Sequence, residues 1–152
     1  MRIKNYRLVF AWQGLLAMLL LQAPNILWAL WPPATDPLSL NSTAYPILDI
    51  IENASIILLM LSFVFIRPKD GALSPGARPL LIAAGASLAC YWLLWVLYYC
   101  GILHPATLLG MATLPILYYV FLSLRARNYI ALPLAVIGAI FHIGITLSNY
   151  VL

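Results

Sequence analysis

The chain has 152 residues, of which 64% are hydrophobic and only 8% charged, and its mean hydropathy is +0.98. A soluble domain carries about 25% charged residues, so this composition excludes one and indicates an integral membrane protein. The length leaves room for several membrane spans of about 20 residues and little else. We therefore expect a single transmembrane domain over residues 1–152, with any function inside the bilayer or just above it.

The eight Lys and Arg residues fall in three short segments that long apolar runs separate. Short loops rich in Lys and Arg stay on the cytoplasmic side during insertion, so these segments are predicted to share that side. There they meet anionic lipid headgroups, which accounts for the net charge of +4 without a nucleic-acid partner. The basic residues are Arg2, Lys4, Arg7, Arg67, Lys69, Arg78, Arg125 and Arg127.

The first apolar run covers residues 8–31 and ends at two tryptophans, Trp28 and Trp31, which are typical of a membrane interface. Its apolar length is far greater than the roughly 7–15 residues of a signal peptide core, so it predicts a membrane helix. An outer loop over residues 32–45 follows. It is rich in Pro, Ser, Thr and Asn, and Asp36 is its only charge.

Four more apolar runs follow, and loops or basic residues bound each of them. Arg125 and Arg127 separate the last two runs, because a merged helix would bury two arginines at mid-bilayer at a cost of several kcal/mol. The pattern predicts an all-α, five-transmembrane-helix bundle with the N-terminus cytoplasmic and the C-terminus outside, in a bacterial inner (plasma) membrane. The remaining predicted helices cover residues 46–66, 79–101, 106–124 and 129–151.

Only two charged residues, Asp49 and Glu52, lie inside an apolar run. A carboxylate at membrane depth is costly and often functional. A helical rise of about 1.5 Å per residue places Asp49 about 5 Å and Glu52 about 9 Å below the outer surface, and His142 about 14 Å below it. Glu52 is then within reach of His142. We expect at least one of the two carboxyls, Glu52 rather than Asp49, to be protonated at neutral pH or to share a proton with His142.

Asp49, Glu52 and Asn53 are three or four residues apart, so they are predicted to project from one helix face, which lipid cannot solvate. We expect that face to turn toward the bundle, where polar residues of the first and last helices meet it at similar depth. The inner half of the second helix is almost wholly apolar, which disfavours an ion channel. The predicted ligand-binding residues are Asp49, Glu52, Asn53, His142, Gln22, Asn25 and Asn149.

Each of these residues also has a structural interpretation. Asp49 could interact with the positive end of its helix dipole, and Glu52 and His142 could form an interhelical hydrogen bond. Their spacing matches no common metal-binding signature, and the chain lacks the GxSxG, P-loop, GxGxxG and CxxCH patterns. We therefore predict neither a metal nor a cofactor.

Five tryptophans could line an apolar cavity or anchor helix ends at the membrane interface. The five spans, the length and the tryptophans resemble in outline the tryptophan-rich sensory protein (translocator protein) family. That family's tryptophan and proline motifs do not map onto this chain, so no residue role is carried over. The tryptophans are Trp12, Trp28, Trp31, Trp92 and Trp95.

The sequence favours a membrane protein that binds or moves an amphipathic, lipid-like small molecule, with or without a coupled cation, at a polar pocket in the outer leaflet. Two alternatives remain open. The polar face could pair with another membrane subunit, which would make the chain a scaffold or accessory part of a larger complex. Alternatively, Glu52 and His142 could act as acid and base in an intramembrane enzyme with a lipid substrate.

Overall fold

A computed structural model describes residues 5–152, in which five helices are long and apolar enough to cross a membrane. The chain is therefore an all-α, multi-pass membrane protein. The basic residues Arg2 and Lys4 lie outside the described residues. The elements are β1 (Tyr6–Leu8), α1 (Trp12–Leu30), a 3-10 turn (Pro37–Leu40), α2 (Pro46–Phe65), β2 (Ile66–Pro68), α3 (Ala77–Tyr99), α4 (Pro105–Arg125) and α5 (Ala131–Tyr150).

The observed bounds of α2 to α5 differ from the predicted ones by at most two residues. The predicted start of the first helix at residue 8 is wrong, because α1 begins at Trp12. The preceding residues form β1, which pairs antiparallel with β2 and places Arg7 opposite Arg67. Backbone bonds from Val9 and Ala11 to the end of α2 continue this pairing at 2.9 and 2.8 Å. These interstrand bonds satisfy the segment's backbone groups, so they replace the predicted first helical turn.

The helices pack around the bundle in the order α1, α2, α5, α4, α3, and the contact between α1 and α3 is the smallest between neighbours in this order. Pro24 in α1 makes possible one hydrogen bond across the seam, the contact between α1 and α3. Pro24 has no N–H to donate to the carbonyl of Leu20, four residues earlier in α1. The indole N–H of Trp92 on α3 donates to that carbonyl at 3.0 Å. The helix defect thus provides a hydrogen bond between two spans.

Close approach of α1 to α2 depends on Gly14. A Cβ atom at this position would collide with the backbone carbonyl of Phe63 on α2. The obstacle is backbone rather than a flexible side chain, so a larger residue would force the helices apart. Small residues at helix contacts allow this kind of approach in membrane proteins, where dispersion forces drive much of the packing.

The basic segments of the described chain meet at one end of the bundle. The Tyr6 hydroxyl donates to the backbone carbonyl of Arg127 at 3.1 Å, and the Arg127 side chain forms an ion pair with Asp70 at 2.9 Å. The backbone N–H of Ser74 donates to the carbonyl of Arg125 at 3.0 Å. The placement of this end on the cytoplasmic side stays a prediction.

Candidate functional site

A cavity of about 220 Å³ lies between the five helices, toward the end opposite the basic segments. Every helix contributes to its wall, and so does the loop between α1 and α2. Its lining is mainly apolar and aromatic, with a few polar groups, which is the usual composition of a small-molecule site. The lining residues are Leu21, Gln22, Asn25, Leu38, Asn41, Ile56, Leu59, Tyr91, Trp95, Leu108, Met111, Ala112, Pro115, Ile116, Tyr119, His142 and Thr146.

His142 on α5 and Glu52 on α2 form an ion pair or a neutral hydrogen bond beside this cavity. The imidazole Nδ1 lies 2.6 Å from Glu52 Oε1, and the two side chains are 28% and 14% exposed. The prediction that these groups reach each other is confirmed. His142 lines the cavity, whereas Glu52 lies behind it. A carboxylate on one imidazole nitrogen orients the ring, and it leaves Nε2 free for a ligand.

A chain of hydrogen bonds crosses the cavity wall from α1 to α3. The Asn25 amide N–H donates to Gln22 Oε1 at 2.7 Å, and the Tyr91 hydroxyl donates to Asn25 Oδ1 at 3.1 Å. The Gln22 amide in turn lies 3.1 Å from the sulfur of Met60 on α2. These bonds hold two amide side chains at the cavity surface, where they can also bond to a guest.

Two buried polar atoms in residues of the cavity wall make no hydrogen bond to another described residue. They are the indole Nε1 of Trp95, which lies beside the Tyr91 hydroxyl without meeting hydrogen-bond geometry, and the hydroxyl oxygen of Tyr119; the two residues are 4% and 2% exposed. An unsatisfied buried polar group costs about 1–3 kcal/mol. Native proteins keep few such groups, and those they keep commonly mark a functional contact. Less than 1 Å² of either atom is accessible, so a guest in the cavity could accept from them after a small shift of the wall.

The loop of residues 31–45, here called the capping loop, covers the cavity and contributes Leu38 and Asn41 to its wall. Asp36 connects the loop to α1 and α3. Its Oδ1 accepts a hydrogen bond from the Tyr98 hydroxyl at 2.5 Å and another from the Trp28 indole at 3.0 Å. The Tyr98 oxygen also accepts from the backbone N–H of Leu38 at 3.2 Å. Asp36, the one charged residue of the loop, therefore attaches the loop to α1 and α3.

Four further bonds attach the capping loop to α5. The Asn41 amide donates to Thr146 Oγ1 at 3.0 Å, and the Asn149 amide donates to Asn41 Oδ1 at 2.9 Å and to the carbonyl of Ser42 at 3.1 Å. The Tyr150 hydroxyl donates to the carbonyl of Pro37 at 2.6 Å. These bonds fix the capping loop against α5 at this end of the bundle.

The structure separates the seven predicted residues into three groups. Gln22, Asn25 and His142 line the cavity, and Glu52 bonds to His142. Asn149 is exposed and supports the capping loop instead of lining the cavity. Asp49 and Asn53 also lie outside the cavity wall.

The expectation that Asn53 faces the bundle is wrong, because its side chain is exposed and donates to the carbonyl of Asp49 at 2.8 Å. Asp49 Oδ1 accepts from the backbone N–H of Thr43 at 3.2 Å, which fits its structural interpretation at the start of α2. The buried stripe of α2 runs through Ser55 and Leu59. Glu52 continues that stripe, whereas Asn53 lies about 100° around the helix from it.

Sequence reasoning did not identify four groups of this site: Asp36, Asn41, Tyr98 and Tyr119. It gave Trp95 as one of five tryptophans that could line a cavity or anchor a helix end, and Trp95 lines the cavity. The spacing of the α3 aromatics carried a usable signal, because residues 91, 95 and 98 recur at helical intervals and all are buried. No local pattern connects Asn41 with Thr146, since these residues lie 105 positions apart. Among residues 5–152, no group of three or more His, Cys, Asp and Glu side chains is placed to hold a metal ion.

Comparison of the chain with protein-family models, with curated proteins and with solved structures finds no match.

Proposed function

We propose that the protein binds a compact amphipathic small molecule in the cavity beneath the capping loop, at the outer side of a bacterial inner membrane. The observation that carries the proposal is the cavity wall itself. It combines an apolar lining with two buried donors, on Trp95 and Tyr119, that lack hydrogen-bond partners among the described residues. Because these donors are unsatisfied without a guest, a guest whose acceptor reaches them gains their hydrogen bonds.

The cavity volume limits the size of the guest. An apolar cavity of about 150 Å³ accommodates benzene, and sites for drug-sized molecules span about 300–1,000 Å³. A cavity of about 220 Å³ therefore suits one ring or a small fused ring system with a polar substituent. A lipid with two acyl chains is far larger, so a lipid-like guest would be a short or partial one.

The polar groups define which substituents the guest should carry. Trp95 and Tyr119 donate, so the guest needs an acceptor near them. With Nδ1–H donated to Glu52, the Nε2 atom of His142 can accept a hydrogen bond from the guest. A ring with both an acceptor and a donor satisfies the wall best. Binding of such a guest is also the first step of the transport or acid–base chemistry that the same residues could support.

One observation favours a second function, contact with another membrane subunit. Asn53 is exposed on α2, within a helix whose other outward residues are mostly apolar. An amide that faces lipid gains stability when a neighbouring helix supplies hydrogen-bond partners. In this case Asn53→Leu would dissociate a complex and leave the cavity unchanged.

The proposal is tested with three fused-ring probes of similar size: indole, which donates, quinoline, which accepts, and naphthalene, which does neither. Binding to the purified protein in detergent is measured by calorimetry and by the shift in melting temperature. We expect indole and quinoline to bind at least about tenfold more tightly than naphthalene, since each hydrogen bond contributes about 0.5–1.5 kcal/mol or more where a buried partner is otherwise unsatisfied.

Ala112→Leu provides the control for location, because Ala112 is buried in the cavity wall and a larger side chain takes up the space. This variant should lose probe binding while still giving a cooperative melt. Equal binding of all three probes, with no effect of Ala112→Leu, would mean that they partition into detergent or into the seam between α1 and α3, and the proposal would fail.

A further inference from the structure

At the basic end of the bundle, away from the cavity, three arginines line one surface depression of about 500 Å³. Arg7 and Arg67 come from the paired strands β1 and β2, and Arg125 is the last residue of α4. Among residues 5–152, no carboxylate lies within ion-pair distance of any of them. The nearby Asp70 is already paired with Arg127. In the part of the chain that the structure describes, the depression therefore concentrates positive charge without a counter-ion.

This arrangement has an energetic cost. Arg7 and Arg67 are direct cross-strand partners, and like charges in this position destabilise a strand pair. Burial, followed by the charge of Arg125, lowers the pKa of Arg67. A guanidinium nevertheless stays protonated in proteins, so the repulsion persists at neutral pH. An anion in the depression would remove this repulsion.

The arginines also retain donor capacity. Arg67 uses one terminal nitrogen in a long bond of 3.3 Å to Gln13 Oε1. The Nε atom of Arg125 is buried and makes no hydrogen bond to any of residues 5–152. Arg7 is exposed, and its side chain makes no hydrogen bond to another described residue. Several N–H groups of a type that pairs with phosphate oxygens therefore remain available.

A general role as charged flanks of membrane helices does not require this convergence. Lys69 and Arg78 at the same end are exposed and lie outside the depression, so a charged flank of a membrane helix does not have to converge with the others. The three converging arginines form a partly buried pocket at the ends of the spans, where lipid headgroups lie. We propose that this depression is a binding site for a phosphate group, carried either by an anionic lipid headgroup or by free inorganic phosphate.

The first test compares lipids of different headgroup charge. Phosphatidic acid, phosphatidylglycerol and phosphatidylcholine are added separately to the detergent-solubilised protein, and retained lipid is measured by native mass spectrometry. We expect retention in the order phosphatidic acid, phosphatidylglycerol, phosphatidylcholine. Equal retention of all three would overturn the proposal.

Variants then locate the site. Arg67→Gln and Arg125→Gln should each lower retention of phosphatidic acid about tenfold or more, because each removes charge-assisted bonds to phosphate. Arg78→Gln is the matched control, since it makes the same charge change at the same end outside the depression. It should change retention by less than about twofold, as expected for a solvent-exposed charge. If Arg78→Gln lowers retention of phosphatidic acid equally, the effect depends only on net charge, and the proposal is overturned.

A second variant keeps the test decisive if the buried arginines are needed for folding. Arg7→Gln removes one member of the repelling pair and no described hydrogen bond. In neutral detergent without phosphate it should raise the melting temperature, and it should diminish the rise that phosphatidic acid causes in the unmodified protein. If the substitution lowers the melting temperature in phosphate-free detergent and leaves the lipid effect intact, the site is not an anion site.

The source of the phosphate is distinguished by adding inorganic phosphate at constant ionic strength, with chloride as the reference. A melting-temperature rise that Arg67→Gln abolishes would identify free phosphate as a sufficient ligand. A response to phosphatidic acid alone would identify the lipid headgroup. Either result supports a phosphate site, whereas the absence of both responses refutes it.

Discussion

Removal of the Tyr119 hydroxyl should increase stability and reduce ligand binding at the same time. The residue is 2% exposed, and its hydroxyl oxygen makes no hydrogen bond to another residue that the structure describes. Tyr119→Phe therefore removes an unsatisfied polar group and keeps the ring that packs 5.1 Å, centroid to centroid, from Phe63. The free energy of unfolding without ligand should rise by about 1–3 kcal/mol, which corresponds to roughly 2–4 °C in melting temperature per kcal/mol at this chain length.

The affinity of the same variant for quinoline should fall about tenfold, since the guest loses one buried donor. Both quantities are measured on the purified protein in one detergent, by thermal unfolding and by calorimetry. Tyr118→Phe is the matched control, because the neighbouring Tyr118 is also buried but donates to the carbonyl of Ala17 at 3.0 Å. That variant should lose about 0.5–1.5 kcal/mol of stability and keep its affinity for quinoline.

The reasoning is refuted if Tyr119→Phe destabilises the protein as much as Tyr118→Phe does. Such a result would show that the Tyr119 hydroxyl is satisfied in the ligand-free protein, for example by water in the cavity. Trp95 Nε1 would then be the one unsatisfied donor left to the proposal, and the support from Tyr119 for a ligand with an acceptor would be lost.

Three further substitutions test other parts of the site and the fold. Glu52→Gln keeps a hydrogen-bonding partner for His142 but removes the charge. We expect a cooperative melt near that of the unmodified protein and weaker binding of indole, measured by calorimetry. Dissociation of a complex in gel filtration would instead favour the subunit function. Asp36→Asn weakens the attachment of the capping loop. It should raise the rate of indole dissociation, measured by stopped-flow fluorescence, about tenfold. An unchanged rate would exclude the loop as the entry route. Gly14→Ala should cost about 3 kcal/mol or prevent folding, because the methyl group meets the Phe63 backbone; an unchanged melting temperature would contradict this contact.

Part of the site could be predicted by depth alone. The rise per residue places Glu52 and His142 at similar levels on α2 and α5, and the structure brings them within 2.6 Å. Depth does not determine rotation about the helix axis, which is why Asn53 was expected to face the bundle and is exposed. In a soluble protein the apolar stripe would have indicated the rotation. In a membrane helix both faces are apolar, so this signal is weak.

The amino-acid sequence alone determined the number of spans, their approximate bounds and the grouping of basic segments on one side, because these depend on the transfer of whole segments between water and hydrocarbon. Only the tertiary structure decided which side chains surround a common cavity and which loop covers it. The capping loop contacts α3 and α5 through residues such as Tyr98 and Thr146, which lie far away along the chain. The β1–β2 pair also required the fold, since interstrand hydrogen bonds replaced the first turn of a helix that local composition favoured.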